Sequence, residues 1–171
     1  MTEQDRLDIV RPLLRTRQVR EFTAEPVSGA DLHALTEVAR WSGSSQNNQP
    51  WRFVVVRELE TLRRLAAAGL PQSRALESAA AAIVIVLPNE PGRRAIDSYD
   101  DARAAERILV AAGMLGLGAG ITFVREDVQG AAREILGLPD ARRIETIIAL
   151  GHPTEAARRP KSPPGQARLP R

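Results

Sequence analysis

Gly43-Ser44-Ser45-Gln46-Asn47-Asn48-Gln49-Pro50-Trp51 leads directly into Arg52-Phe53-Val54-Val55-Val56. The first part is a run of small and amide side chains; the second is a β-branched run that reads as a strand. Serine and asparagine favour loops because their side chains compete for nearby backbone hydrogen bonds. A loop so dense in donors and acceptors, entering a strand, can read the edge of a flat polar ligand. The plain alternative is an ordinary polar turn, and composition alone favours the turn.

Upstream of this stretch, Leu7, Val10 and Leu14 recur at helical spacing, which predicts a helix over residues 4–15 with Thr2 and Asp5 at its cap. Pro12 lies inside the pattern and is expected to kink or shorten it. An arginine-rich connection follows, and Ser28 with Asp31 opens a second helix that runs through Leu32, Leu35 and Val38 to near Trp41. Downstream, strand 52–57 is followed by a helix over 58–68 that Gly69 and Pro71 break, and by a short helix near 72–79. Residues 82–87 are apolar on both faces and stop at Pro88, the pattern of a central strand. Residues 98–116 read as the longest helix. Its stripe of Ala102, Ala105, Ile108, Leu109, Ala112 and Leu115 is small enough for another helix to approach closely, and calls for a partner surface. A strand over 118–124, a helix over 127–136 and a strand over 145–150 complete the pattern. Beyond Pro153, prolines at 160, 163, 164 and 170 predict an extended chain. The reading is one domain over 1–153 and an extended basic tail over 154–171. About four strands alternating irregularly with helices give a mixed α/β or α+β fold.

A chain of 171 residues, 43% hydrophobic and 26% charged, is an ordinary globular domain with room for a core. It contains no cysteine, which excludes disulfides, thiolate catalysis and cysteine-ligated metals, and makes a reducing cytoplasm its expected location. The charged N-terminus is not a secretory signal, and the longest apolar run, 79–87, is too short to span a bilayer. The net charge is only +3, and Arg158, Arg159, Lys161, Arg168 and Arg171 concentrate at the end of the chain. That tail has no interleaved aromatics, so a nucleic-acid partner is not expected.

Few residues suggest acid–base or metal chemistry. His33 and His152 have no partner at metal-ligand spacing and read as structural. Asp100 and Asp101 read as negative charges near a helix N-terminus. Gly116-Leu117-Gly118-Ala119-Gly120 follows a helix rather than a strand, so it does not fit a dinucleotide loop. No Ser–His–Asp order points to a hydrolase. Arg15, Arg17 and Arg20 form a cluster suited to a phosphate or a polarised carbonyl, or else simply a solvated charge run.

Ser44-Ser45-x-Asn47-x-Gln49-Pro50-Trp51 before Phe53-Val54-Val55-Val56 resembles the FMN-binding loop of the nitroreductase family of flavin enzymes. Residues 17–27 resemble the family's opening arginine motif. Leu115-Gly116-Leu117-Gly118, Leu136-Gly137-Leu138-Pro139 and Ala149-Leu150-Gly151-His152-Pro153 follow in the family's order. Five motifs in order cover nearly the whole chain. The resemblance implies an α+β fold with a mainly antiparallel sheet flanked by helices. It also implies a homodimer with the long helix at the subunit interface, FMN where the subunits meet, and NAD(P)H as electron donor. The implied activity is hydride transfer through flavin N5 to a small organic acceptor such as a nitroaromatic, quinone or enone. Other readings are a flavin-binding protein with little turnover, and a basic-tailed interaction protein without flavin.

By the same resemblance, Arg20 matches the cation at the flavin N1 and O2 edge, where a positive charge stabilises the reduced ring. The family's first arginine falls on Thr16 and its usual serine on Gln18, so Arg15 or Arg17 is left to contact the phosphate. Ser44, Ser45 and Asn47 are implied contacts to the ring edge and ribityl chain, while Gln49-Pro50-Trp51 positions the loop, with Trp51 in the core. Gly118 lets backbone approach the ring; Thr122, Phe123 and Val124 lie near N5. Arg168 matches the family's tail arginine for the phosphate.

Overall fold

The computed structural model describes residues 1–158. Four strands form its sheet: β1 (Arg52–Val56), β2 (Ala81–Pro88), β3 (Gly118–Phe123) and β4 (Arg142–Gly151), all paired antiparallel in the order β1-β2-β4-β3. The continuous apolar run becomes β2 because that strand is covered on both faces. Ala81, Ile83, Ile85 and Leu87 enter one core; Ala82, Val84 and Val86 enter the other. Each valine, isoleucine or leucine among them contributes about 1.5–3 kcal/mol on full burial.

The helices are α1 (Glu3–Ile9), α2 (Arg11–Arg15), α3 (Gly29–Arg40), α4 (Leu59–Ala67), α5 (Arg74–Ser78), α6 (Arg94–Met114), α7 (Gln129–Leu136) and α8 (Glu155–Arg158). Helices α3 and α6 cover one face of the sheet through Leu32, Leu35, Ala39, Ala105, Ile108 and Ala112. The other face is covered by α4, α5 and α7 through Leu62, Leu65, Leu76 and Ala132. Thr2 and Asp5 form a reciprocal capping box on α1, and Ser28 accepts from Asp31 N at 3.0 Å to cap α3. Pro12 divides the first helical pattern in two by taking an early position in α2, where its missing N–H costs nothing.

Several expectations are corrected. The long helix begins at Arg94, so Asp100 and Asp101 lie in its interior, nearly fully buried, rather than near its N-terminus. Its stripe is not left for a partner: Ala105, Ile108, Leu109 and Ala112 pack on the chain's own sheet, and only Ala102 and Leu115 are exposed. The face of α6 that stays open is a different one, carrying Tyr99, Val110 and Met114. With Leu13 and Val38 it lines a groove of ≈ 720 Å³. The short helix begins at Arg74, two residues later than expected, because Gln72 takes φ 59°. The chain is not extended immediately after Pro153, since one turn of helix, α8, forms with Ala157 N donating to Thr154 Oγ1.

Candidate functional site

Residues 18 and 19 lie along the outer edge of β3, and residues 21–23 pair with residues 152–154 just past the end of β4. Gln18 pairs with Ala119 in a parallel bridge, Val19 N donates to Ala119 O at 2.8 Å, and Ile121 N donates to Gln18 Oε1 at 2.8 Å. Further along, Thr23 N donates to His152 O at 2.8 Å. Two glycines permit this approach. A Cβ at Gly118 would lie 2.8 Å from Val19 Cγ1, and one at Gly120 would collide with the Val19 carbonyl. The glycine run therefore accommodates the chain's own arginine segment. Gly116, at φ 76°, ends α6 in a Schellman turn, with Leu117 N on Ala112 O at 2.8 Å and Gly116 N on Gly113 O at 3.2 Å.

Arg20 is exposed on this strip, and its Nη2 reaches Gln72 Oε1 at 3.5 Å. Among the described residues it forms no ion pair. Gln72 was not singled out by the sequence, yet it joins two residues that were. Its carbonyl accepts from the fully buried Thr122 hydroxyl at 3.3 Å, while its side chain faces Arg20. A positive φ at glutamine leaves no sequence signature beyond the Pro71 before it. Phe123, next to Thr122, is half exposed at 47%.

Of the other arginines, Arg17 Nη1 donates to Leu14 O at 2.8 Å and Thr16 O at 2.7 Å, closing the end of α2. Arg15 ends α2 and is exposed. The structure thus groups Gln18, Arg20, Gln72 and Thr122, and turns the Arg17 guanidinium back on its own loop. Arg168 lies outside the described residues.

The Ser/Asn loop is ordered by its own side chains. Ser45–Asn47 form a 3-10 turn, Gln49 N donates to Ser44 Oγ at 2.9 Å, and Gln49 Nε2 donates to Asn47 Oδ1 at 3.1 Å. Gln46, Asn47 and Gln49 all hold positive φ, at 53°, 56° and 46°. Non-glycine residues adopt this region at a cost of about 1–3 kcal/mol each, and it persists where surroundings fix it. Trp51 is buried as expected, with its ring centroid 6.2 Å from that of Phe53. The loop feeds β1, at one edge of the sheet, while the arginine strip lies beyond β3 at the other. Four strand spacings separate the two, roughly 19 Å.

Beneath α6 lies a buried polar cluster. Thr146 Oγ1 donates to Asp101 Oδ2 at 2.6 Å, Arg93 pairs with Asp97 at 3.3 Å, and Arg143 pairs with Glu145. Burial pushes the Asp101 carboxyl up to about 7, against the opposing pull of the Thr146 hydrogen bond and Arg143. Burial also lowers the Arg143 guanidinium. The β4 strand brings these groups together through a bulge: Ile85 pairs with Thr146 and Val86 with Ile144, leaving Glu145 as the extra residue. His33 is exposed and His152 lies 3.7 Å from Glu25. Among the described residues no cluster of His, Asp or Glu could hold a metal, and no helix is long and apolar enough to cross a membrane.

The antiparallel α+β fold agrees with that of known proteins. Residues 13–84 match the nitroreductase family profile. A protein of Archaeoglobus fulgidus, provisionally named NADH dehydrogenase/NAD(P)H nitroreductase, is 30% identical over 153 residues, covering 86% of this chain and 87% of its own. Among solved structures, an FMN-dependent nitroreductase from Clostridium difficile superposes with a TM-score of 0.76 at 27% identity, over 85% of this chain and 88% of the other. A nitroreductase-like protein from Desulfovibrio desulfuricans, in complex with FMN, superposes with a TM-score of 0.73 at 27% identity, over 95% and 91%. The chain belongs to the nitroreductase family.

Proposed function

We propose that this protein is an FMN-dependent oxidoreductase that carries hydride from NAD(P)H to a small organic acceptor of the nitroaromatic, quinone or enone type. The observation that carries the reading is the Arg20–Gln72–Thr122 constellation on the β3 edge: a solvent-facing guanidinium beside a neutral amide whose own backbone carbonyl accepts from Thr122. The donor set fits the group. Arg20 offers charge, Gln18 and Gln72 offer amides, and Ser44, Ser45 and Asn47 offer hydroxyl and amide groups, as a polar ring edge, a polyol and a phosphate require. The Clostridium difficile relative is an FMN-dependent nitroreductase, the Desulfovibrio desulfuricans one holds FMN, and the Archaeoglobus fulgidus one is named for NAD(P)H.

When bound, the flavin would supply the redox chemistry, accepting one hydride from NAD(P)H, which leaves as NAD(P)+, and delivering the two electrons to the acceptor in the second half-reaction. Arg20 stabilises negative charge where it develops, which lowers the barrier because the interaction is stronger after charge transfer than before. Gln72, tied to Thr122, keeps Arg20 on the strip. The Ser/Asn loop orients the ligand by hydrogen bonds from a backbone that need not reorganise. Arg15 or Arg17 and the tail's Arg168 are assigned to the phosphate.

The protein acts as a homodimer in this reading, located in the cytoplasm, with residues 1–153 as the flavin domain. Two features support the dimer. The arginine strip and the Ser/Asn loop stand at opposite edges of one sheet, so one copy's strip and its partner's loop together form a complete site. The open face of α6 also presents the apolar surface that such an interface buries.

The deciding experiment is the absorbance spectrum of the purified protein, mass identification of any released chromophore, and NADH and NADPH oxidation with a quinone and a nitroaromatic as acceptors. Yellow protein that releases FMN and oxidises NAD(P)H is expected. FAD, or no flavin after reconstitution, overturns the reading. Bound FMN without NAD(P)H oxidation would assign flavin binding without turnover.

A further inference from the structure

The Ser/Asn loop is gripped from below by one face of α6. Asp100 is 1% exposed, and one of its carboxylate oxygens accepts the Ser45 N–H at 2.9 Å. The other oxygen lies 3.7 Å from Arg103 Nη1. The Arg103 guanidinium in turn sits over Gly43, where a Cβ would collide with its Nη2. One turn further, Arg107 Nη1 donates to Trp41 O at 3.0 Å. Positions 100, 103 and 107 recur on one side of a helix, so a single rigid element holds the loop's entry at residues 41, 43 and 45. Just beyond this anchor come three non-glycine residues at positive φ, a backbone that persists only where its surroundings determine it.

We propose that Asp100 is a positioning residue: through the Ser45 amide it holds Ser44, Ser45 and Asn47 in the form that takes the flavin, with Arg103 and Arg107 completing the grip. The inference rests on the flavin reading for its consequence, and on geometry alone for the grip. Asp100 is buried, so it acts through the loop rather than on a ligand. A carboxylate suits the task because a hydrogen bond to an ionised acceptor is shorter and stronger than one to a neutral group. The grip also places the loop under the control of the α6 face that borders the open groove, since Arg103 and Arg107 line that groove.

The test compares Asp100→Leu, branched at the same carbon but larger and without an acceptor, with Asp100→Asn, which keeps both the size and an oxygen for the Ser45 N–H. Arg107→Ala, at an exposed position, opens the same grip without disturbing a buried group. Amide hydrogen exchange is measured on the flavin-free proteins, and FMN affinity by fluorescence quenching. In Asp100→Leu, exchange over residues 43–49 should accelerate at least about tenfold while residues 104–112 keep their protection. FMN affinity should fall by about ten- to a hundredfold, the scale of one hydrogen bond to a charged group. Asp100→Asn should recover most of both, and Arg107→Ala should change both in the same direction by less. Unchanged loop exchange in Asp100→Leu and Arg107→Ala overturns the proposal, as does an Asp100→Asn protein no better than Asp100→Leu. If the parent protein takes up no FMN, the flavin reading fails, while the exchange measurements still decide whether Asp100 holds the loop.

Discussion

Arg20 is exposed and its one described side-chain contact, to Gln72, is long, so its removal should barely affect folding. Its proposed role lies in the reaction. One hydrogen bond to a developing charge contributes about 1.5–3 kcal/mol, and about 1.4 kcal/mol is tenfold in rate. Arg20→Ala should therefore slow NAD(P)H oxidation at saturating FMN by about ten- to a hundredfold with an unchanged melting temperature; stopped-flow kinetics and calorimetry check the pair of outcomes, and a parent-like rate would move the role to another residue. Asp101 gives the opposite profile, a stability effect far from the ligand. Its carboxyl, raised from 3.8 to about 7 by burial, holds a proton in the folded state that the unfolded chain has released. Its contribution is thus full below about pH 4, is lost as pH rises towards 7, and stays lost above. The slope reaches about 1.4 kcal/mol per pH unit for one proton. Urea denaturation of Asp101→Asn from pH 4 to 8 should show a flatter dependence than the parent, and parallel curves would refute the assignment. At this scale it was the family resemblance, rather than composition, that singled out Arg20, Thr122 and the Ser/Asn loop, and each forms part of an ordered polar arrangement. The sequence was silent on Gln72, whose left-handed backbone glutamine does not announce, and it placed Asp100 at a helix end because the amide that residue holds lies 55 residues away.

The elements were legible in proportion to the strength of their pattern. The two-sided apolar run became β2, and the cap residues Thr2 and Ser28 start their helices. The stripe on α6 shows the limit of periodicity. An alanine-rich face indicates close approach, but not whether the surface approached belongs to the same chain. Here the stripe meets its own sheet and α3, and the open face is the one bearing Tyr99, Val110 and Met114. The bulge at Glu145 was also unreadable, because it arises from pairing between strands rather than from the order of residues in one. Close approach of backbone explains why β3 starts with glycines. Gly120 faces the Val19 carbonyl, so Gly120→Ala forces either the strip or the strand to shift. Overpacking of this kind costs about 1–3 kcal/mol. The variant should melt at lower temperature and, because the displaced segment carries Gln18 and Arg20, should also lose FMN affinity. A lower melting temperature with parent-like affinity would show that the strip's position does not matter to the site.

At the scale of the whole molecule, the sheet order separates the two parts of the site. The Ser/Asn loop enters at β1 and the arginine strip lies outside β3, so the central strands β2 and β4 stand between them. No local side-chain motion closes a gap of four strand spacings, roughly 19 Å. The proposed two-fold dimer would close it if one copy's loop meets the other copy's strip, a contact that the symmetry then repeats. The open α6 groove is the surface with the right chemistry: Leu13, Val38, Tyr99, Val110 and Met114 are apolar, and Arg103, Glu106 and Arg107 supply both signs of charge. Introducing like charges into it should separate the subunits while sparing the monomer core, since Met114 is 68% exposed and Val110 is not fully buried. The double variant Val110→Glu and Met114→Glu should therefore run as one chain by light scattering, keep its far-UV circular dichroism, and lose bound FMN together with its dimeric mass. A monomer that retains FMN as tightly as the parent would place the whole flavin site within one chain, and the strip and the loop would then have to be assigned to different ligands.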